Sequence, residues 1–183
     1  SVVHRHELIK ESLKHAAGDA QLNDILHELS DKKFLHRGDW VMTREERQRE
    51  IDILQIIRSG KRKLDQLLPD SKINLDSKLS DDQRSALHRI LENKDQFQFL
   101  RGVAGAGKTF ALTELKNNLA QKNVLFLAPS GSATETLREE NLSNSKTLQL
   151  FMQSQDVQNS ASNSLIVVDE AGLISTKQMS SFL

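Results

Sequence analysis

Apolar positions along this chain follow two different rhythms. In the first, Leu8, Ile9 and Leu13 recur three and four apart, as do Leu22, Ile25, Leu26 and Leu29, and then Ile53, Leu54, Ile56 and Ile57. That spacing lines one face of a helix each time. Between the second and third groups, "KKFLHRGDWVMT" has short apolar runs on either side of "RGD", which predicts a hairpin turning at Gly38-Asp39. Helix, helix, hairpin is the outline of a small, mainly helical, winged-helix-like module over residues 1–68. The polar "LPDSKINLDSKLS" then holds one of the two prolines and predicts a linker over residues 69–80.

The second rhythm alternates short apolar runs with helical stretches. A helix is predicted to start at Ser80, with Gln83 three residues on, the spacing of a capping box. "FQFLR" reads as a strand, Lys108 to Leu119 as a helix, and "NVLFLAP" as a strand. Ser132 to Glu140 reads as a helix and "SLIVVDEA" as a strand, with the serine- and asparagine-rich "QNSASNS" before it as a loop. Short apolar strands separated by helices predict a parallel sheet of βαβ units, so residues 81–183 read as an α/β domain.

Composition narrows the picture by exclusion. Lys and Arg total 25 and Asp and Glu total 25, so any surface for nucleic acid has to be a local patch. There is no cysteine, which removes disulfides and thiolate metal sites. No apolar run approaches the roughly 20 residues that cross a bilayer, and the start "SVVHRHELIK" has no signal-peptide core. The expectation is a soluble, cytoplasmic protein. With no initiator Met, and with a predicted helix still running at Leu183, the chain is expected to be a fragment.

Chemistry concentrates in the second half. The stretch Gly102-Val103-Ala104-Gly105-Ala106-Gly107-Lys108-Thr109 matches G-x-x-x-x-G-K-[ST] at every fixed position, between a predicted strand and a predicted helix. Gly102 and Gly107 permit a tight turn whose amides surround phosphate oxygens, and the helix that follows aims its positive end at the same anion. Lys108 adds a mobile charge for the β and γ phosphates, and Thr109 a hydroxyl for Mg²⁺. A dinucleotide turn fits less well, because the glycines read G-x-x-G-x-G. In "LIVVDEAG", Asp169 and Glu170 stand at the carboxyl end of an apolar strand. There Asp169 would hold Mg²⁺, and Glu170 would orient the attacking water. The plainer reading is that these acids only begin a helix.

In their order, "LSDDQRSAL", "GVAGAGKT", "VLFLAPSGSATETL", "KTLQLF" and "VVDEAG" resemble the first motifs of superfamily 1 DNA helicases of the RecD-like branch. The resemblance is closest to the helicase part of conjugative relaxase–helicases of the TraI/TrwC type, and "VVHRHELIKESLKHA" and "WVMTREERQREIDIL" resemble the segment before that core. It implies a RecA-like P-loop NTPase sheet, ATP and Mg²⁺ as cofactors, single-stranded DNA as partner, and a setting in conjugation or secretion machinery. By the same resemblance Gln83 reads the adenine edge, and Pro129, Ser130 and Gly131 contact the DNA backbone. Thr147 is a second strand contact, although Gln149 stands where the family often has histidine. Gln83 and Ser130 also serve as plain helix caps, and the two roles are compatible.

Two classes of function follow from the resemblance. One is a motor that couples ATP hydrolysis to movement along single-stranded DNA, its fragment nearly inactive without the arginines of a second domain. The other is a non-hydrolysing module that grips single-stranded DNA or is recognised for secretion. An unrelated P-loop ATPase is the third alternative. Elsewhere the histidines show no metal-ligand spacing. Trp40 reads as hairpin packing before base stacking, and "SGKRK" as a solvated helix end before a phosphate contact.

Overall fold

The computed structural model describes residues 2–16, 18–102, 107–120 and 122–183. Two compact units divide the chain: residues 1–56 with 175–183, and residues 57–174.

The first unit contains α1 (Arg5–His15), α2 (Leu22–Leu29), the hairpin of β2 (Phe34–Arg37) and β3 (Trp40–Thr43), most of α3 (Arg44–Ser59), and α9 (Thr176–Phe182). A short β1 (Val3–His4) adds to the hairpin, so the antiparallel order is β1-β3-β2. Gly38 turns the hairpin with φ of 58°, a conformation that costs glycine little. Among the described residues of this unit, Leu29 of α2 and Val41 of β3 are the buried apolar ones. The helix–helix–hairpin outline is therefore realised. Trp40 remains half exposed, with the His4 ring edge-on at 5.4 Å.

The second unit is mixed α/β. Its sheet is parallel, in the order β5 (Ser145–Thr147), β4 (Val124–Ala128), β6 (Leu165–Val168). The remaining helices are α4 (Asp81–Glu92), α5 (Lys108–Asn118), α6 (Gly131–Glu139), α7 (Leu148–Gln153) and α8 (Gln155–Ser160). All of β4 is buried, as a central parallel strand with both faces covered should be. On one face Val124, Phe126 and Ala128 pack with Leu87 and Leu91 of α4, Ala111, Leu112 and Leu115 of α5, and Leu137 of α6.

Three segments depart from the sequence expectation. "FQFLR" is not a strand. Gln96 N–H donates to the Gly60 carbonyl at 2.8 Å, Gln98 Nε2 donates to the Ile90 carbonyl at 3.1 Å, and Phe99 is 76% exposed. Gln96 just before it is drawn to Gly60 and Gln98 within it to α4, and the segment forms no ladder among the described residues. "QNSASNS" is not wholly loop, because Ser154 caps α8 and carries the helix through Ser160.

Finally, the stretch read as a linker lies packed within the second unit. Leu79 is buried, and Leu67, Leu68, Ile73 and Leu75 pack on the core. Asn74 N–H donates to Asn118 Oδ1 and Asp76 N–H to Glu114 Oε1. Its few apolar residues are what tie it down, and the boundary between units falls inside α3 instead.

Candidate nucleotide-binding site

The capping box at the start of α4 forms as read from the sequence. Ser80 Oγ accepts from Gln83 N–H at 3.2 Å, and Gln83 Oε1 accepts from Ser80 N–H at 2.9 Å. The Gln83 amide does more, since its Nε2 donates to the Gly107 carbonyl at 3.3 Å. Gly107 is the residue before α5 and has φ of 66°, which only glycine adopts without strain. Lys108 and Thr109 are the first two residues of the helix. Lys108 Nζ is 3.4 Å from the Gly102 carbonyl, a weak donation. Val103, Ala104, Gly105 and Ala106 lie outside the described residues.

Parallel register brings the other candidates to one edge of the sheet. Ala128 of β4 pairs with Thr147 of β5, and Leu127 with Val168 of β6. Pro129-Ser130, Thr147 and Asp169-Glu170 thus leave three adjacent strands at their carboxyl ends, the side on which α/β sheets bind ligands. Asp169 N–H donates to the Leu127 carbonyl at 2.9 Å, which extends the pairing by one residue. Asp169 Oδ1 then accepts from Glu170 N–H at 2.9 Å, and Glu170 has φ of 50°. A non-glycine residue in that region is strained by roughly 1–3 kcal/mol, and such strain clusters at functional sites.

Ser130 and Thr147 are caps. Ser130 Oγ accepts from Ala133 N–H at 3.1 Å at the start of α6, and Thr147 Oγ1 accepts from Leu150 N–H at 3.1 Å at the start of α7. Both hydroxyls stay oriented toward helix N-termini, where amides also face anions.

A model of the AAA domain family matches residues 78–183, more than half of the 183-residue chain. The chain belongs to the AAA domain family. It is also similar to the multifunctional conjugation protein TraI of Escherichia coli (strain K12), 28% identical over 151 residues. The match covers 76% of this chain and 8% of that protein, so the chain spans less than a tenth of the relative's length. The chain is a TraI-like P-loop segment, ATP-binding and helicase-like in kind.

The AAA domain carries a donor set that fits Mg²⁺-bound triphosphate. Gly107 stands where an added Cβ would lie 2.6 Å from Gln83 Nε2, so that turn admits no larger residue without displacing the amide. The N-terminus of an 11-residue helix follows, with an ammonium and a hydroxyl in its first turn. Asp169 follows β6 at the carboxyl end of the sheet, and a carboxylate is the kind of oxygen ligand a hard cation takes.

Other features resolve into structure. The "SGKRK" run is a helix end: Gly60 N–H donates to the Ile57 carbonyl and is buried against Phe97, and Arg62 N–H donates to Asp95 Oδ1. His88 lies between two exposed acids, with Nε2 3.4 Å from Asp70 and Nδ1 3.4 Å from Glu92. One ligand atom from each of Asp70, His88 and Glu92 lies within 4.8 Å of the other two, a grouping of exposed acids around a ring of the kind that is common without an ion. The sequence reading missed the Gln83–Gly107 contact, which joins residues 24 apart and has no local signature.

No described helix is long and apolar enough to cross a membrane.

Proposed function

We propose that this AAA domain binds Mg·ATP at Lys108, Thr109 and Asp169, with Glu170 orienting the attacking water. We propose further that it works as part of a motor that moves along single-stranded DNA during conjugative transfer. The observation that carries the reading is the parallel register: it sets Ser130 and Thr147, at two helix N-termini, beside the strand end that bears Asp169 and Glu170. A phosphodiester laid along that edge would meet amides and hydroxyls from α6 and α7 while the acids attend to the nucleotide. When bound, Mg²⁺ supplies charge neutralisation at the β and γ phosphates. What this chain's own residues contribute is position. Lys108 stands at the head of α5, and the Asp169 carboxylate is oriented by its bond to Glu170 N–H. TraI is named as a conjugation protein, and this supports the setting.

If one sheet edge serves both ligands, each is expected to change the affinity for the other. Coupling of this kind is typically fivefold or more and reciprocal. Fluorescence anisotropy of a labelled oligonucleotide, titrated with and without Mg·ATP analogue, is expected to show it. Nucleotide binding that single-stranded DNA leaves unchanged would instead indicate a P-loop ATPase with no DNA partner. Oligonucleotide binding with no nucleotide binding would indicate a DNA-gripping module.

A further inference from the structure

We infer that Gln83 is a positioning residue for the Gly107-Lys108 turn that opens α5, whatever it also does for a base. The inference rests on the phosphate seat proposed above and adds a role that the bases of nucleotides do not enter. The Gly107 carbonyl takes two donors, Ala111 N–H at 3.1 Å and Gln83 Nε2 at 3.3 Å, which occupies both of its lone pairs. The bond that follows is trans, as every described peptide is, and a trans peptide holds its N–H opposite its C=O. Holding the Gly107 carbonyl toward α4 and α5 therefore turns the Lys108 amide N–H the other way, off the end of the helix, where an anion would sit.

The holding group is itself held. Gln83 Oε1 is engaged by Ser80 N–H, and α4 is anchored by the fully buried Leu87 and Leu91. One side-chain amide thus fastens the left-handed turn at Gly107 to a rigid helix, and the phosphate-binding amide is aimed before the ligand arrives.

The test uses inorganic tripolyphosphate, which has no base to read. By calorimetry with Mg²⁺, Gln83→Ala is expected to weaken tripolyphosphate binding roughly three- to tenfold, the factor one hydrogen bond of ordinary net strength is worth. Ser80→Ala removes the other half of the capping box and leaves the Gly107 contact. It is expected to lower the melting temperature while tripolyphosphate affinity stays unchanged. In the unaltered chain, the Gln83 side-chain amide resonance is expected to shift as tripolyphosphate is added, which requires no variant to fold.

Equal tripolyphosphate affinity in Gln83→Ala and the unaltered chain, an unmoved Gln83 resonance, or equal losses in Gln83→Ala and Ser80→Ala would each overturn the inference alone. Failure of the unaltered chain to bind tripolyphosphate would remove the phosphate seat and this inference with it.

Discussion

Lys108→Ala is expected to weaken Mg·ATP binding roughly ten- to a hundredfold, the worth of losing charge-assisted hydrogen bonds to phosphate. It is expected to leave stability unchanged or slightly raised. The reason lies in the placement of the lysine. Helices α1 to α4 each carry an acid in the first turn, as the helix dipole favours. Helix α5 carries none and opens on Lys108, where a cation is disfavoured by about 0.3–1 kcal/mol. An anion at the same place reconciles the two, since helix end and ammonium then attract one ligand. Titration of a fluorescent ATP analogue, with thermal melting alongside, measures both quantities. Unchanged affinity would remove Lys108 from the site. A large drop in melting temperature would make it a structural residue.

Phe126→Ala is the largest stability effect expected. Phe126 is 1% exposed at the middle of β4, in a cluster that joins α4, α5 and α6. Truncating a buried phenylalanine costs about 3–5 kcal/mol, because the cavity closes only in part. A domain holds about 5–15 kcal/mol in all, so the variant should leave the second unit close to unfolding at ordinary temperature. Urea denaturation followed by hydrogen exchange at the β4 and β6 amides is the measurement, since two units make one melting temperature ambiguous. The expected result is a transition at much lower urea for those amides. A loss under about 1 kcal/mol would mean that β4 does not centre the core.

Much of the α/β unit was legible in the sequence, for identifiable reasons. "NVLFLAP" and "SLIVVDEA" are short, apolar and bounded by polar residues, and both become strands of the parallel sheet. Ser80 and Gln83 form their capping box because all of its partners lie within four residues. "FQFLR" looked equally strand-like and is not one, because a strand also needs a partner, which lies outside the segment's own composition. Strand β5 escaped notice for the opposite reason: "SKT" has no apolar pattern, yet backbone bonds to β4 make it a strand. The strap over residues 69–80 was read by its polarity, whereas three apolar residues within it decide where it lies.

What the sequence determined by itself is local chemistry: the glycine–lysine–threonine turn, the caps, the helical faces, the Asp169-Glu170 pair after an apolar run, and through them the family. Only the tertiary structure decided what meets what. It set Thr147, Ser130 and Asp169 along one sheet edge, and it put the Gln83 amide on the Gly107 carbonyl. The physical reason is range. Caps and turns are closed by bonds over a few residues, which a linear string displays. Strand register and a contact between residues 24 apart depend on how separate surfaces bury one another.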